Sequence, residues 1–144
     1  MTHQYATEAI QLLKTLISTP SVSRDESKAA DVMCGFMNKH NIAHKRIGNN
    51  ILCISDNYCD TKPTILLNAH IDTVKPASGW QRDPFSPVEE DGRLYGLGSN
   101  DCGGGLVSLL QAFRILSGRQ QAYNLIYAAS AEEEVSGQNG FTLL

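Results

Sequence analysis

Three short stretches carry residues whose types and spacing could do chemistry. In "LLNAHIDTV" (66–74) an apolar run ends in His70, and Asp72 follows two places later. Side chains alternate along a strand, so the two point the same way if the strand persists. A neutral imidazole can bind a metal ion through one nitrogen while a carboxylate accepts the other N–H and fixes the tautomer. Taken alone, a histidine hydrogen-bonded at a strand end beside an incidental aspartate explains the pair more economically. In "GLGSNDCGGG" (96–105) glycines crowd a single carboxylate, Asp101, just before a helical stretch. Glycine lets backbone approach a ligand closely. The stretch lacks the Lys-Ser/Thr that closes a phosphate-binding loop and follows a loop rather than a clear strand, which weakens both nucleotide readings. A carboxylate held in a glycine turn suits a divalent cation better, because its two oxygens can bridge two ions. In "AASAEEEVSG" (128–137) Glu132, Glu133 and Glu134 follow an apolar strand. Three adjacent carboxylates repel unless a cation or a proton compensates. A solvated loop or a first helical turn accounts for one or two of them, but poorly for their place at a strand end.

The elements that must position these residues follow from periodicity. "YATEAIQLLKTLIS" places Ile10, Leu13, Leu16 and Ile17 at helical spacing, stopped by "TPS". A second helix is predicted from "SRDESKAADVMCGFMNKH", with Ser23 and Glu26 at capping-box spacing and Val32, Met33, Phe36 and Met37 on one packing face. "IGNNILCIS" predicts a strand after a turn at Asn49 and Asn50. "TILLNAHID" reads as a strand buried inside a sheet. A long loop follows, with a short hairpin near "EEDGRLY". A helix after the glycine-rich entry ends at Gly118, and "NLIYAAS" is a second apolar strand. Apolar strands alternating with helices predict an α/β layered fold, in which ligands bind beyond the carboxyl ends of parallel strands.

The remaining features are exclusions. The chain has 144 residues, 19% of them charged, with a net charge of −3. That balance offers no basic surface for nucleic acid and argues against an anionic membrane. No apolar run approaches the roughly 20 residues of a membrane span, and the start lacks a secretory signal pattern. Cys34, Cys53, Cys59 and Cys102 show no C-x-x-C pairing and read as reduced thiols in a cytoplasmic protein. Trp80 and Phe85 are assigned to packing rather than to a pocket, Arg82 and Arg93 equally to solvent, salt bridges or substrate, and His3, His40 and His44 to the surface. One histidine and several carboxylates on one sheet edge, without thiolate, fit zinc, cobalt or manganese. Two such ions would activate water for attack on an acyl carbon.

The ordered set "HIDTV", "GWQRDPFSPVEEDGRLYGLGSNDCGGG" and "AEEEVSG" resembles the metal-dependent deacylase and exopeptidase family. That family includes acetylornithine deacetylase, succinyl-diaminopimelate desuccinylase, the aminoacylases and carboxypeptidase G. The resemblance spans essentially the whole chain. It implies a three-layer αβα catalytic domain of the zinc-exopeptidase type, with a largely parallel mixed sheet. His70 resembles the ligand of one metal and Asp72 the carboxylate that orients it. Asp101 matches the aspartate that bridges the two ions and implies a cis bond between Asp101 and Cys102. Glu132 takes the place of an acidic residue that precedes the family's functional pair. Glu133 then resembles the general base and Glu134 the ligand of the second metal, with a one-residue slip as the alternative.

The implied activity is removal of the acyl group from an N-acyl amino acid. N-acetylornithine, and so arginine biosynthesis, is the nearest branch because Gly103 stands where lysine is common. A di- or tripeptidase of the same family, or a non-catalytic domain that only binds ligand or partner, are the alternatives. The family runs to more than twice this length. Residues 1–144 are therefore expected to be the amino-terminal part of a truncated catalytic domain. The dimerisation domain of a homodimeric parent, and the carboxyl-terminal part with further metal ligands, would be absent. The fragment alone is expected to bind metal weakly and hydrolyse little.

Overall fold

The computed structural model describes residues 2–144. Helix α1 (Thr2–Ile17) buries Leu12, Leu13 and Ile17, whereas Ile10, predicted on the packing face, is 45% exposed. Pro20 lies past its end and has no N–H to continue it. Helix α2 (Ser27–Lys39) buries Ala29, Ala30, Met33 and Met37, with Val32 and Phe36 packed at the core's margin. The predicted capping box does not form: α2 starts after Glu26 without a side-chain cap, and Ser23 and Glu26 are engaged elsewhere.

Strands β1 (Lys45–Ile47) and β2 (Asn50–Ile54) form an antiparallel hairpin. Its turn falls on Gly48, at φ +62°, and Asn49, so Asn50 belongs to the strand rather than the bend. Strand β3 (Thr64–His70) carries the predicted apolar run. The long segment after it holds a small hairpin, β4 (Val88–Glu90) and β5 (Arg93–Tyr95). Asp91 and Gly92 turn that hairpin at φ +52° and +72°, the left-handed pair that two-residue hairpins require. An irregular turn over Ser99–Gly103 leads into α3 (Gly104–Ser117), and β6 (Asn124–Ser130) follows.

The main sheet runs β1-β2-β6-β3, with β6 antiparallel to β2 and parallel to β3. The α/β class with a mixed sheet is thus present, and its one parallel pairing is the one that matters for the site. Ile51 and Cys53 of β2, Leu125, Tyr127 and Ala129 of β6 and Ala69 of β3 join residues of all three helices in one core. Among the described residues the helices therefore cover one face, two of the three implied layers. On the other face Ile54, Ile126 and Leu66 lie side by side, with Ile54 and Leu66 45% and 44% exposed. Among the described residues β3 stands last in the strand order, beside β6 alone, and so is an edge where its apolar run predicts an interior strand. No helix is long and apolar enough to cross a membrane among the described residues.

Candidate metal centre

The parallel pairing of β3 with β6 matches His70 to Ser130, and Ile71 N–H donates to Ser130 O at 2.8 Å. Both strands end together, so the residues just past them, Asp72 on one side and Glu132–Glu134 on the other, meet at one rim. The segment joining α1 to α2 also docks there. Val22 bridges Thr73 in parallel, Thr73 N–H donates to Ser21 O at 2.9 Å, and Ser23 N–H donates to Thr73 O at 3.1 Å.

His70 is 8% exposed. Its Nδ1 lies 2.9 Å from the Asp72 carbonyl oxygen and 3.5 Å from Asp72 Oδ1, so Nδ1 carries the hydrogen. The second nitrogen, Nε2, faces Asp101 Oδ1 at 3.1 Å and Glu133 Oε2 at 3.7 Å. A neutral ring would turn a lone pair on two acceptors, so a positive charge is favoured between or upon these groups. The bond to Asp72, then that to Cys102, pushes the His70 pKa up to about 11 against the opposing effect of burial.

Asp72 is 1% exposed. Burial acts to raise its pKa, but hydrogen bonds from His70, Ser23 Oγ at 2.7 Å, and the N–H groups of Glu133 and Glu134, both at 3.1 Å, bring it down to about 2. Glu134 moves the other way: burial, then the neighbouring Asp101, raise its carboxyl pKa.

Asp101 enters from the turn before α3, and its peptide bond to Cys102 is cis, as the resemblance implies. The Cys102 thiol lies 3.1 Å from His70 N and 3.3 Å from His70 O, clasping the end of β3 to this turn. Two groups of potential ligand atoms lie within 4.8 Å of one another: His70 with Asp101 and Cys102, and His70 with Glu133 and Glu134. The structure thus brings His70, Asp72, Asp101, Glu133 and Glu134 together, with Asp101 and Glu133 open to solvent and His70 at their base. Glu132 turns away. At φ +52° it buries its side chain, which accepts from Asn139 Nδ2 at 2.9 Å and Asn139 N–H at 3.3 Å. The carboxylate oxygens gathered around Nε2 make, together with it, a donor set that fits a divalent metal ion.

Sequence reasoning missed four participants. Ser23 and Glu26 were hidden by their helix-cap spacing, and Cys102 by its assignment as a reduced thiol without a paired cysteine. Trp80, assigned to packing, is 41% exposed and lines a cavity of about 210 Å³ together with Thr73, Val74, Leu97, Asp101 and Glu134. His40, assigned to the surface, is half-buried and receives the Arg114 guanidinium at Nδ1, 2.9 Å away. Arg82 forms a salt bridge to Glu90.

The model of peptidase family M20/M25/M40 matches residues 66–143, which hold all of these site groups except Ser23 and Glu26. Among curated relatives, succinyl-diaminopimelate desuccinylase of Nitratiruptor sp. is 26% identical over 94% of this chain and 37% of its own length. N-fatty-acyl-amino acid synthase/hydrolase PM20D1 of Bos taurus is 38% identical over 69% of this chain and 20% of its own. Of the solved structures, the di-peptidase Dug1p of Saccharomyces cerevisiae superposes with a TM-score of 0.71 at 23% identity, over 94% of this chain and 34% of its own. The chain therefore spans well under half the length of the relatives it matches.

Proposed function

The chain belongs to peptidase family M20/M25/M40, and from that premise we propose that it supplies the core of a metal-dependent site that hydrolyses the amide bond of an N-acyl amino acid. His70 Nε2, Asp101 and Glu134 would hold two divalent ions, zinc first and cobalt or manganese as substitutes. Ions so held would lower the pKa of a water toward neutrality and polarise the acyl oxygen. The chain's own groups do the rest. Asp72 keeps the hydrogen on Nδ1 of His70, so that Nε2 presents its lone pair to the site. Glu133 takes the proton from the attacking water on a carboxylate oxygen and returns it to the leaving nitrogen. The observation that carries this reading is the orientation of His70: one nitrogen is tied to Asp72 O at 2.9 Å while the other faces Asp101 Oδ1 and Glu133 Oε2.

Two of the relatives matched in sequence are named for N-acyl substrates, which supports an N-acyl amino acid over a peptide. The di-peptidase that shares the fold keeps di- and tripeptides as the second reading. N-acetylornithine is the narrowest form of the proposal and rests on Gly103 alone. Because the chain spans 37% of the desuccinylase, we place it as the amino-terminal part of a catalytic domain. Further ligands and a dimerisation domain would come from sequence outside these residues, in a homodimer. Its four cysteines, all free, support a cytoplasmic setting.

The test is a panel of N-acyl amino acids and dipeptides, run with and without zinc on the protein at the length of its relatives, wild type beside Glu133→Gln. Loss of a general base should cost at least about 100-fold in kcat with the metal content unchanged. Near-normal turnover by Glu133→Gln would remove Glu133 from the role.

A further inference from the structure

Four consecutive backbone N–H groups at the metal-centre rim are each taken by a buried side chain from a distant segment. Ala131 N–H donates to Asn50 Oδ1 at 2.9 Å and Glu132 N–H to Glu26 Oε1 at 3.2 Å. Glu133 and Glu134 N–H donate to the two oxygens of Asp72. Asn50 and Glu26 are fully buried and Asp72 nearly so. Asp72 also touches His70, so its place at the site needs no second explanation. Among the described residues, the Glu26 carboxyl has no hydrogen bond to a metal-centre side chain. Its Oε1 also accepts from Arg24 N–H at 2.6 Å, and its Oε2 accepts from Asn49 Nδ2 at 3.1 Å.

A fully buried carboxyl group is costly unless every lone pair is used. A helix start needs no such group, because solvent or a serine can satisfy its first N–H donors. Here the carboxyl is turned away from its helix and spent on the chain reversal after β6. That reversal holds Glu132 at φ +52°, a conformation that side-chain-bearing residues adopt only under constraint. It sends Glu132 inward and leaves Glu133 Oε2 3.7 Å from His70 Nε2.

We propose that Glu26 is a positioning residue: by fixing the Glu132 amide it sets which of three identical side chains turns inward and which two stand beside His70. The proposal rests on the assignment of Glu133 as the base, and its two readouts separate the two ideas. Asn49 and Arg24 lock Glu26, Glu26 locks the Glu132 amide, and Asp72 locks the next two amides. A slip of one residue would have to break all of these at once.

The test compares Glu26→Gln with Glu26→Met. Glutamine keeps an oxygen for the Arg24 and Glu132 amides. Methionine has a similar length and volume but only a weak thioether acceptor, so packing is retained while the oxygen that takes these N–H groups is lost. The first readout is amide hydrogen exchange at Glu132–Glu134, with Tyr127 in β6 as the internal reference. The second is the separation of kcat from KM, read on the protein at the length of its relatives. Glu26→Met should fold cooperatively, speed exchange at Glu132–Glu134 by about tenfold or more while leaving Tyr127 protected, and lower kcat by about tenfold or more with KM within about threefold. Glu26→Gln should restore most of both.

A purely structural role predicts something else: exchange accelerated uniformly, Tyr127 included, with kcat of the folded fraction unchanged. That result overturns the proposal. So does a methionine variant that matches glutamine in both readouts, one that loses turnover with the triplet's exchange unaltered, or one that does not fold. If instead Glu133→Gln remains active, the base assignment fails, while the exchange result still decides whether Glu26 sets the loop.

Discussion

A single β-carbon at Gly103 should loosen the turn that carries Asp101. It would lie 2.6 Å from the Gly98 carbonyl oxygen and 2.6 Å from Leu13 Cδ1. The backbone itself raises no objection, since φ −56° and ψ −38° are helical; alanine there would add up to about 1 kcal/mol of helix propensity. The clash decides the sign. Leu13 is a core residue but can rotate a methyl group. The Gly98 oxygen cannot retreat, because it accepts the Gly103 N–H at 2.8 Å and closes the turn over residues 98–103. Overpacking costs about 1–3 kcal/mol, and a clash with a pinned backbone oxygen takes the upper part of that range, about 2–3 kcal/mol; less the helix gain of about 1 kcal/mol, Gly103→Ala is destabilised by about 1–2 kcal/mol. For a chain this size that lowers Tm by roughly 3–6 °C. Gly35 and Gly105 are the matched controls. Both lie in helices with nothing within 4 Å of an added β-carbon, so Gly35→Ala and Gly105→Ala should each gain about 0.5–1 kcal/mol. Thermal and urea unfolding of the four proteins, followed by far-UV circular dichroism, reads the three signs directly. A Gly103→Ala protein as stable as wild type, or three shifts of one sign, would refute the reasoning. The lysine common at this position in the resembling family should do worse than alanine. Gly103 thus has a local packing cause that says nothing of the substrate, which is why the acetylornithine reading needs the substrate panel.

Two further outcomes are expected. The 144-residue chain alone should bind zinc weakly and lose it to dialysis, because His70, Asp101 and Glu134 shared between two ions fall short of the three protein ligands usual for one catalytic zinc; calorimetric titration showing two tight sites, with fast turnover, would refute the need for ligands from further sequence. Acid should weaken the fold through the cluster at the other end of the sheet, where Arg114 donates to Glu8 Oε2 at 2.6 Å and to His40 Nδ1. Burial, then Arg114, lowers the His40 pKa from 6.5, and the hydrogen bond from Arg114 lowers that of Glu8 from 4.5. Both depressed values mean stability that is complete above the unfolded pKa and is lost as pH falls through the folded one. The His40 part therefore disappears first, below 6.5, and the Glu8 part only below 4.5. Comparing Tm at about pH 7 and about pH 5.5, His40→Gln should show a smaller drop than wild type; an equal drop would clear His40 of the role.

The sequence makes one kind of information easy to read and another nearly invisible. Helices α1, α2 and α3, the two apolar strands and the Asp91-Gly92 hairpin are legible because each is encoded by its own periodicity and punctuation. The rim position of His70 is legible for the same reason: an apolar run with a polar end has its polar end outside the core. What the run cannot encode is its neighbours. Ile65 and Leu66 look like interior-strand residues, yet β3 is an edge among the described residues and both are over 40% exposed. Glu26 fails in the same way. Ser23 and Glu26 stand at the spacing of a helix cap, and nothing within ten residues reveals that the carboxyl's partner is the amide of Glu132, 106 positions away. Local pattern reports what a residue can do; which of its options is taken depends on whichever donor the tertiary fold delivers to it. The glutamate triplet is the limiting case. Its three side chains are chemically identical, so no reading of types or spacing can separate them. They are distinguished only by the backbone, through one left-handed residue and the buried acceptors that hold its neighbours. Which carboxylates stand beside His70 is therefore set by Asn50, Glu26 and Asp72, residues that carry no mark of that task in the sequence around them.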